Sequence, residues 1–394
     1  MRILIVHNDY GRYSGEEAVV DRSILNMRQM GHDVETLRLS SKFFRHSLLG
    51  QVKAYVSGLY SVEGVAMMRE AMRSFKPDIV NVHNLYPFIS PASLKECRKA
   101  GVPVIMTVHN YRLICPTGLF LHDGQTCEEC LVAHNERPCL RHNCEGNFFR
   151  SLAYAQRNKV ARRRRYYLDN VDYYICLTHF QRQKLIDFGY PANRIVIIPN
   201  YPNINTRDIG SANKFKHAIP NNFIGYVGRF SHEKGYDLLL EVARRHPEME
   251  FLFAGDYGEH KPHTDCKNVR FCGQLDKQEL SLLYRQSAFI VIPSRCYEGF
   301  PLAMLEAFDH GKACIAPNHG AFPELIMNGD KPCGVLFTPG NVDSLEQAVL
   351  SLHRNSNLLN QLNAHAKALV ELRFARESIN AQWEELLRKV AGKP

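Results

Sequence analysis

The stretch Ala288–Pro317, "AFIVIPSRCYEGFPLAMLEAFDHGKACIAP", decides how this chain folds. It opens on an unbroken apolar run, passes through a loop holding Glu298, Gly299 and Pro301, and continues as "PLAMLEAF" in helical rhythm. It closes on a second short apolar run, "ACIAP". Apolar runs that do not alternate with polar residues belong to strands covered on both faces, so the pattern reads as strand, helix, strand in a parallel sheet.

The same alternation extends in both directions. Before the stretch, "FIGYVG", "MEFLFAG" and "NVRFCG" read as strands, with "YDLLLEVARRH" and "KQELSLLYRQSA" as helices between them. In the first half "RILIVH", "HDVETLRL", "PDIVNVHN", "VPVIMTVHN", "DYYICLT" and "RIVIIPN" are strand-like, and a helix is expected from about Glu16 to Met30. Two such series predict two α/β domains, each a doubly wound, Rossmann-like parallel sheet, facing a central cleft where the loops at the strand ends meet a ligand. The expected boundaries are an N-terminal domain over 1–200, a linker over 201–221 in the Pro-, Asn- and Ser-rich "PNYPNINTRDIGSANKFKHAIPNN", and a C-terminal domain over 222–370. An amphipathic helix over 371–394 has no strand after it, and its apolar stripe is expected to pack back on the N-terminal domain.

Bulk composition agrees. The 394 residues are 45% hydrophobic and 23% charged, as in a globular protein, and too many for one ordinary core. No apolar run reaches the ~18 residues of a membrane span, and "MRILIVH" is too short for a signal peptide, so a cytoplasmic location is expected. The formal net charge is +9, with a basic cluster in "RNKVARRRRYY" (Arg157, Lys159, Arg162, Arg163, Arg164, Arg165). That cluster reads as an anionic membrane face ahead of nucleic acid, with the solvated side of a helix as the plain alternative.

Four loops carry the chemistry. In "NDYGRYSGEEAVV" the glycines Gly11 and Gly15 allow close backbone approach, and the amides where the helix begins near Glu16 suit a phosphate. The loop lacks the spacing of a dinucleotide fingerprint. In "YVGRFSHEKGYDLLL" a strand ends at Gly228, and Arg229 and Lys234 follow before the next helix. An arginine fork and a lysine point charge at a helix entrance would hold a diphosphate. A third strand end, "AGDYGEHK", brings Gly255 towards a base or a phosphate, or is turn chemistry alone. In the opening stretch Glu298 lies in the loop and Glu306 inside the helix, flanking the amides of Gly299, Phe300 and Leu302 behind Pro301 at the first turn. Two separated carboxylates around free amides can grip a polyhydroxyl ligand, one of them a ribose.

Between His109 and Arg150 stands a cysteine-rich insert at about 111–148, "CPTGLFLHDGQTCEECLVAHNERPCLRHNC". Cys115, Cys127, Cys130, Cys139 and Cys144 fall within it, with His122, His134 and His142 as possible substitutes. Three or four thiolates would bind a structural zinc ion; an iron–sulfur cluster and solvent-facing thiols are the alternatives.

Glu298 and Glu306 at this spacing, "GRFSHEKG" upstream and the N-terminal Gly-Glu loop together resemble the retaining nucleotide-sugar glycosyltransferases of family four (group 1), which have the two-domain GT-B fold; the resemblance covers nearly the whole chain. It implies transfer of a sugar from a nucleoside diphosphate donor to an acceptor, such as a lipid-linked or surface-polysaccharide intermediate, with retained configuration and no cofactor or metal for catalysis. Arg229 and Lys234 would neutralise the leaving diphosphate, Glu306 would bind the ribose, and Glu298 with the Gly299–Leu302 amides would hold the sugar hydroxyls and phosphate. His109, at a strand end, would hydrogen-bond the transferred sugar, and Gly15 would pack against the phosphates. Relatives with a similar insert favour Cys115, Cys127, Cys130 and Cys144 as ligands, with Cys139 the alternative. Ser14 stands where the family usually has a first glycine, which weakens the phosphate reading there. Peripheral contact with the inner membrane face is expected, nucleic acid is not. A 2-epimerase or phosphorylase of similar fold and, from another class, a zinc-bearing nucleic-acid binder are the competing readings.

Overall fold

The computed structural model describes residues 1–10, 14–40, 48–202, 221–258 and 261–392. Gly11 and nearly all of the expected linker lie outside them. The chain divides into two compact units. The first comprises Met1–Gly118, Glu128–Pro199 and Ile379–Pro394, the second Leu119–Cys127 and Asn200–Ser378.

The sheet of the first unit is built from β1 (Arg2–Asp9), β2 (Asp33–Ser40), β3 (Ile79–Asn84) and β4 (Val104–Thr107). Two short strands, β5 (Leu121–His122) and β6 (Gln125–Thr126), then form an antiparallel hairpin that groups with the second unit, and β7 (Tyr173–Cys176) and β8 (Ile195–Ile197) return to the first sheet. The order is β2-β1-β3-β4-β7-β8, and every pair is parallel. The second sheet holds β9 (Phe223–Val227), β10 (Phe251–Ala254), β11 (Val269–Gly273), β12 (Ser287–Val291), β13 (Cys314–Pro317) and β14 (Gly334–Phe337) in the order β11-β10-β9-β12-β13-β14, again all parallel.

Continuous apolar sequence is the reason for this form. Ile3–Val6, Phe251–Ala254, Phe289–Val291 and Cys314–Ala316 are each buried throughout, as strands with helices on both faces must be. In each sheet the order reverses beside its first strand, between β1 and β3 and between β9 and β12. Loops leaving the carboxyl ends of those strands therefore diverge, and such switch points are where doubly wound sheets hold ligands.

The structure departs from the sequence reading in three places. Strand β14 and the helix Ser356–Arg373 have no counterpart in it. Pro301 is the N-cap of the helix Leu302–Asp309, not a member of its first turn, with φ −75° and ψ 100°. The insert is not one piece of the N-terminal domain: its segment Leu119–Cys127 groups with the second unit. Within the C-terminal helix Arg376–Ala391, residues from Ile379 onward group with the first unit. Asn26 donates to Asn380 there at 2.7 Å, and Trp383 and Leu387 are buried.

Candidate active site

In the second unit, two loops leave the switch point. One runs from the end of β9 through Gly228, Arg229 and Lys234 to the helix Tyr236–Arg245; the other runs from the end of β12 to the helix Leu302–Asp309. They are laced together by backbone. Arg295 N donates to Glu233 O at 2.9 Å, and the Arg295 guanidinium donates to His232 O at 2.9 Å. Gly235 makes this possible: its φ is +66°, and a Cβ there would stand 2.0 Å from Pro293 O. Gly255 is bound just as closely, with φ +146° and a Cβ position 1.8 Å from Gly228 O. Its lack of a side chain lets β9 and β10 end side by side.

This lacing brings Lys234 to Glu298, where Lys234 Nζ donates to Glu298 Oε1 at 2.5 Å. Ser294 Oγ donates to the same oxygen at 2.7 Å. The pair is mostly shielded, with side chains 23% and 14% exposed. Burial pulls the Lys234 pKa down and the Glu298 pKa up, but their mutual attraction outweighs it, so Lys234 moves up and Glu298 moves down. Both are charged at neutral pH. Arg229 is the more exposed cation and pairs with Glu233 at 3.1 Å.

Glu306 sits within the helix Leu302–Asp309, where Tyr284 OH donates to its Oε2 at 3.1 Å. That helix ends in a glycine in the left-handed region, Gly311 at φ +65°, with Lys312 N closing on Ala307 O at 2.9 Å. Its N-terminal amides follow Gly299 and the buried Phe300, whose ring meets Phe374 edge-on. His319 Nε2 lies 3.0 Å from Ser294 O, behind the Glu298 loop, and burial holds its pKa low. Ser294, Tyr284 and His319 were not legible as site residues, because each acts by reaching another element rather than through a local pattern.

The first unit gathers a second polar cluster at its own switch point. His83 Nδ1 and His109 Nε2 lie 2.7 Å apart with their rings stacked, so one proton is shared between two imidazoles. Burial pulls His109 and His7 down to about 4 and His83 well below its usual value, which leaves all three neutral at pH 7. Both ring nitrogens of His7 and Nε2 of His83 have no hydrogen-bond partner among the described residues. Glu16 turns inward: its Oε2 accepts from Tyr10 OH at 3.0 Å and from Asn110 Nδ2 at 3.2 Å, and Arg112 Nη1 donates to Tyr10 at 2.6 Å. Burial raises the Glu16 pKa, partly offset by Arg112. Sequence reasoning missed Tyr10, His83, Asn110 and Arg112, although "HNYR" follows the strand end directly.

The amides at the first helix are less available than expected. The helix begins at Gly15, and Ser14 and Glu17 form a capping box that occupies Ser14 N and Glu17 N. His7, Asp9 and Glu17 stand close enough together for a cation. Asp9 is already bound to Arg38 at 2.7 Å, and Glu17 to Ser14.

The basic run is not a single solvated face. Arg157 is buried, donates to Pro116 O and lies over the Tyr154 ring; Arg162 makes two bonds to Glu136 at 2.9 Å. Lys159, Arg163, Arg164 and Arg165 remain exposed. No described helix is long and apolar enough to cross a membrane.

In the cysteine insert, Cys144 is hydrogen-bonded to Cys139, but among the described residues no three thiols come close enough together to share a metal ion. Cys115, Cys130, Cys139 and Cys144 lie in the first unit, while Cys127 belongs to the second. Of the three histidine substitutes, His142 is held by Glu129 at 2.9 Å, His122 stands 3.3 Å from Asp123, and His134 stacks on Phe188.

Comparison with known proteins adds to this geometry. Residues 211–369 match the family described as Glycosyl transferases group 1, and residues 13–204 match Glycosyltransferase Family 4. Glycogen synthase of Mycobacterium tuberculosis is 31% identical over 170 residues, which are 40% of this chain and 38% of that protein. The lipopolysaccharide core biosynthesis mannosyltransferase LpcC of Rhizobium leguminosarum is 27% identical over 190 residues, 42% of this chain and 51% of that one. The chain spans less than half the length of the curated relatives it matches first. Among solved structures, Anabaena HepE in complex with UDP-glucose matches 99% of this chain and 100% of that one, with a TM-score of 0.64 at 18% identity, a likeness of GT-B fold.

Proposed function

The chain belongs to the group 1, family four glycosyltransferases, and on that premise we propose that it moves a sugar from a nucleoside diphosphate sugar to a lipid-linked or surface-polysaccharide acceptor, with retention of configuration. One observation carries the reading: Lys234 and Glu298 meet at 2.5 Å where the two switch-point loops are laced together, with Glu306 on the helix that follows. A buried lysine held charged by an exchangeable carboxylate is a diphosphate site at rest. Donor phosphate takes Lys234, assisted by the more exposed Arg229, and Glu298 is released to the sugar hydroxyls together with the Gly299–Leu302 amides. Glu306 binds the ribose. Cationic side chains supply the leaving-group stabilisation, so the transfer itself needs no metal.

Neutral His109 hydrogen-bonds a hydroxyl of the transferred sugar, with His83 fixing its tautomer. The exposed Lys159, Arg163 and Arg164 rest on the anionic inner face of the membrane that carries a lipid-linked acceptor. Nucleic-acid binding is disfavoured, since Arg157 and Arg162 of the basic run are spent within the fold.

A donor screen tests the proposal. UDP-, GDP- and ADP-sugars are offered in turn, UDP-sugars first because the Anabaena fold neighbour holds UDP-glucose, and nucleotide release is followed with wild type and Glu306→Ala. Slow hydrolysis of one donor, lost in the variant, is the expected result. No binding or turnover of any donor, with lipid extract present, overturns it.

A further inference from the structure

Two neighbouring helices of the first unit leave apolar side chains on the outside. In the helix Leu48–Leu59, Val52 and Val56 stand one turn apart on one face, both more than half exposed, and Tyr60 extends that stripe past the helix end. Val62, at the start of the helix Val62–Ser74, is 74% exposed. The helix Phe148–Arg163 opens on Phe148 and Phe149, which are 55% and 77% exposed, their rings edge to face at 5.9 Å. The helices Leu48–Leu59 and Phe148–Arg163 pack on each other, and Tyr55 OH donates to Gln156 Oε1 at 2.9 Å. Phe149, Gln156 and Arg163 recur at an interval close to two helical turns, so they share one line of their helix. Single exposed apolar residues need no cause, but a group gathered on linked elements marks a surface that something covers.

Charge identifies what covers it. From Gly146 to Leu168 the chain carries seven cations and no Asp or Glu. Arg157 and Arg162 are bound within the fold, and Arg150 and Arg165 pair with Glu145 and Asp169. Lys159, Arg163 and Arg164 are exposed and meet no carboxylate among the described residues. From Leu48 to Tyr60 there is again no acidic residue, and Glu63 beyond it is matched by Lys53 at 3.5 Å. We propose that this face is a membrane anchor: Val52, Val56, Tyr60, Phe148 and Phe149 enter the acyl boundary of a bilayer whose anionic headgroups meet Lys159, Arg163 and Arg164. A second copy of the chain would set like charge against like across a two-fold contact. A polynucleotide offers anions but leaves the valines uncovered, since aliphatic side chains give bases no stacking platform. The inference rests on the membrane contact in the reading above and adds to it an apolar component with its own residues. It makes no demand on the donor site.

Full-length protein is sedimented, without nucleotide sugar, with vesicles of phosphatidylcholine alone and of phosphatidylcholine with about one-third phosphatidylglycerol, at about 0.1 and 0.5 M salt. The expected result is binding to the anionic vesicles roughly tenfold or more tighter than to the neutral ones, with a part that survives the higher salt. No binding to either, or binding lost entirely at the higher salt, overturns the anchor. The double variant Val56→Glu, Phe149→Glu is expected to weaken binding about tenfold or more at both salts, and the triple variant Lys159→Gln, Arg163→Gln, Arg164→Gln to remove the preference for anionic vesicles. Unchanged binding in either overturns it. Should the glutamate variant fail to fold, Phe149→Trp decides with brominated acyl chains. The native Trp383 is buried and gives the background, so quenching beyond the wild type supports insertion and its absence overturns it. A dimer that Phe149→Glu dissociates, or a polynucleotide bound in place of vesicles, also overturns it. Nucleotide release is followed in parallel on the wild type. Turnover without vesicle binding sinks the anchor and leaves the donor reading standing; vesicle binding without turnover of any donor does the reverse.

Discussion

At Lys234 the decisive quantity is the balance between burial and pairing. A lysine so shielded would lose its proton without Glu298, and Glu298 would gain one without Lys234. Removing either partner leaves a buried charge, so Lys234→Ala is expected to cost about 1–3 kcal/mol in a urea melt. It is also expected to lower donor turnover on the order of a hundredfold. Glu298→Gln should keep the fold better than Lys234→Ala, since the amide still accepts from Ser294; equal melts of the two variants would contradict the pairing. The three buried histidines give a pH signature. Between about pH 6.5 and 4 the unfolded chain binds protons that folded His7 and His109 refuse, so stability falls as pH falls through that window and is flat above it. For His7, whose side chain is fully buried, the loss is on the order of 3 kcal/mol. Urea midpoints at pH 7.5 and 5 that coincide would refute this.

Elements set these residues in place through backbone contacts that side chains could not make. Gly255→Ala would force a Cβ into Gly228 O in a backbone region that L-residues avoid, and a loss of about 2–4 kcal/mol is expected, read as a lowered melting temperature. Donor affinity should drop with it, because Gly228 leads directly into Arg229. At Gly31 a Cβ would meet nothing, although its φ is +87°, so Gly31→Ala should cost only the strain, about 1–2 kcal/mol. Ser14→Ala breaks the capping box of the first helix and is expected to cost about 1 kcal/mol without altering the donor assay. A donor defect in Ser14→Ala as large as that in Gly255→Ala would show that the first helix entrance takes part after all.

At the scale of the molecule, two units with separate cores should unfold as separate transitions when not coupled by ligand. The chain has one tryptophan, Trp383, on the part of the C-terminal helix that belongs to the first unit. Tryptophan fluorescence is therefore expected to report the first unit alone. Deleting residues from Ile379 onward withdraws Ile379, Trp383, Leu386 and Leu387 from its core and should lower that unit's midpoint measured by near-ultraviolet circular dichroism, leaving the second unit's transition in place. A nucleoside diphosphate at a hundred times its Kd should add about 2.7 kcal/mol to the unit that binds it.

The sequence by itself determined the two parallel sheets, since uninterrupted apolar runs such as Phe289–Val291 leave a strand no exposed face, and the helices between them leave no other connection. It also carried Glu298, Glu306, Arg229 and Lys234, because charged residues at strand ends in an apolar context are conspicuous along the chain. It did not show β14, a run of four residues without flanking pattern, nor the division of the insert between units, because neither is a local property. Only the tertiary structure decided that Lys234 meets Glu298 across 64 residues and that His83 shares a proton with His109 across 26. Such meetings depend on which loops diverge from one switch point and which glycines let their backbones touch, and spacing along a chain does not encode distances across a sheet.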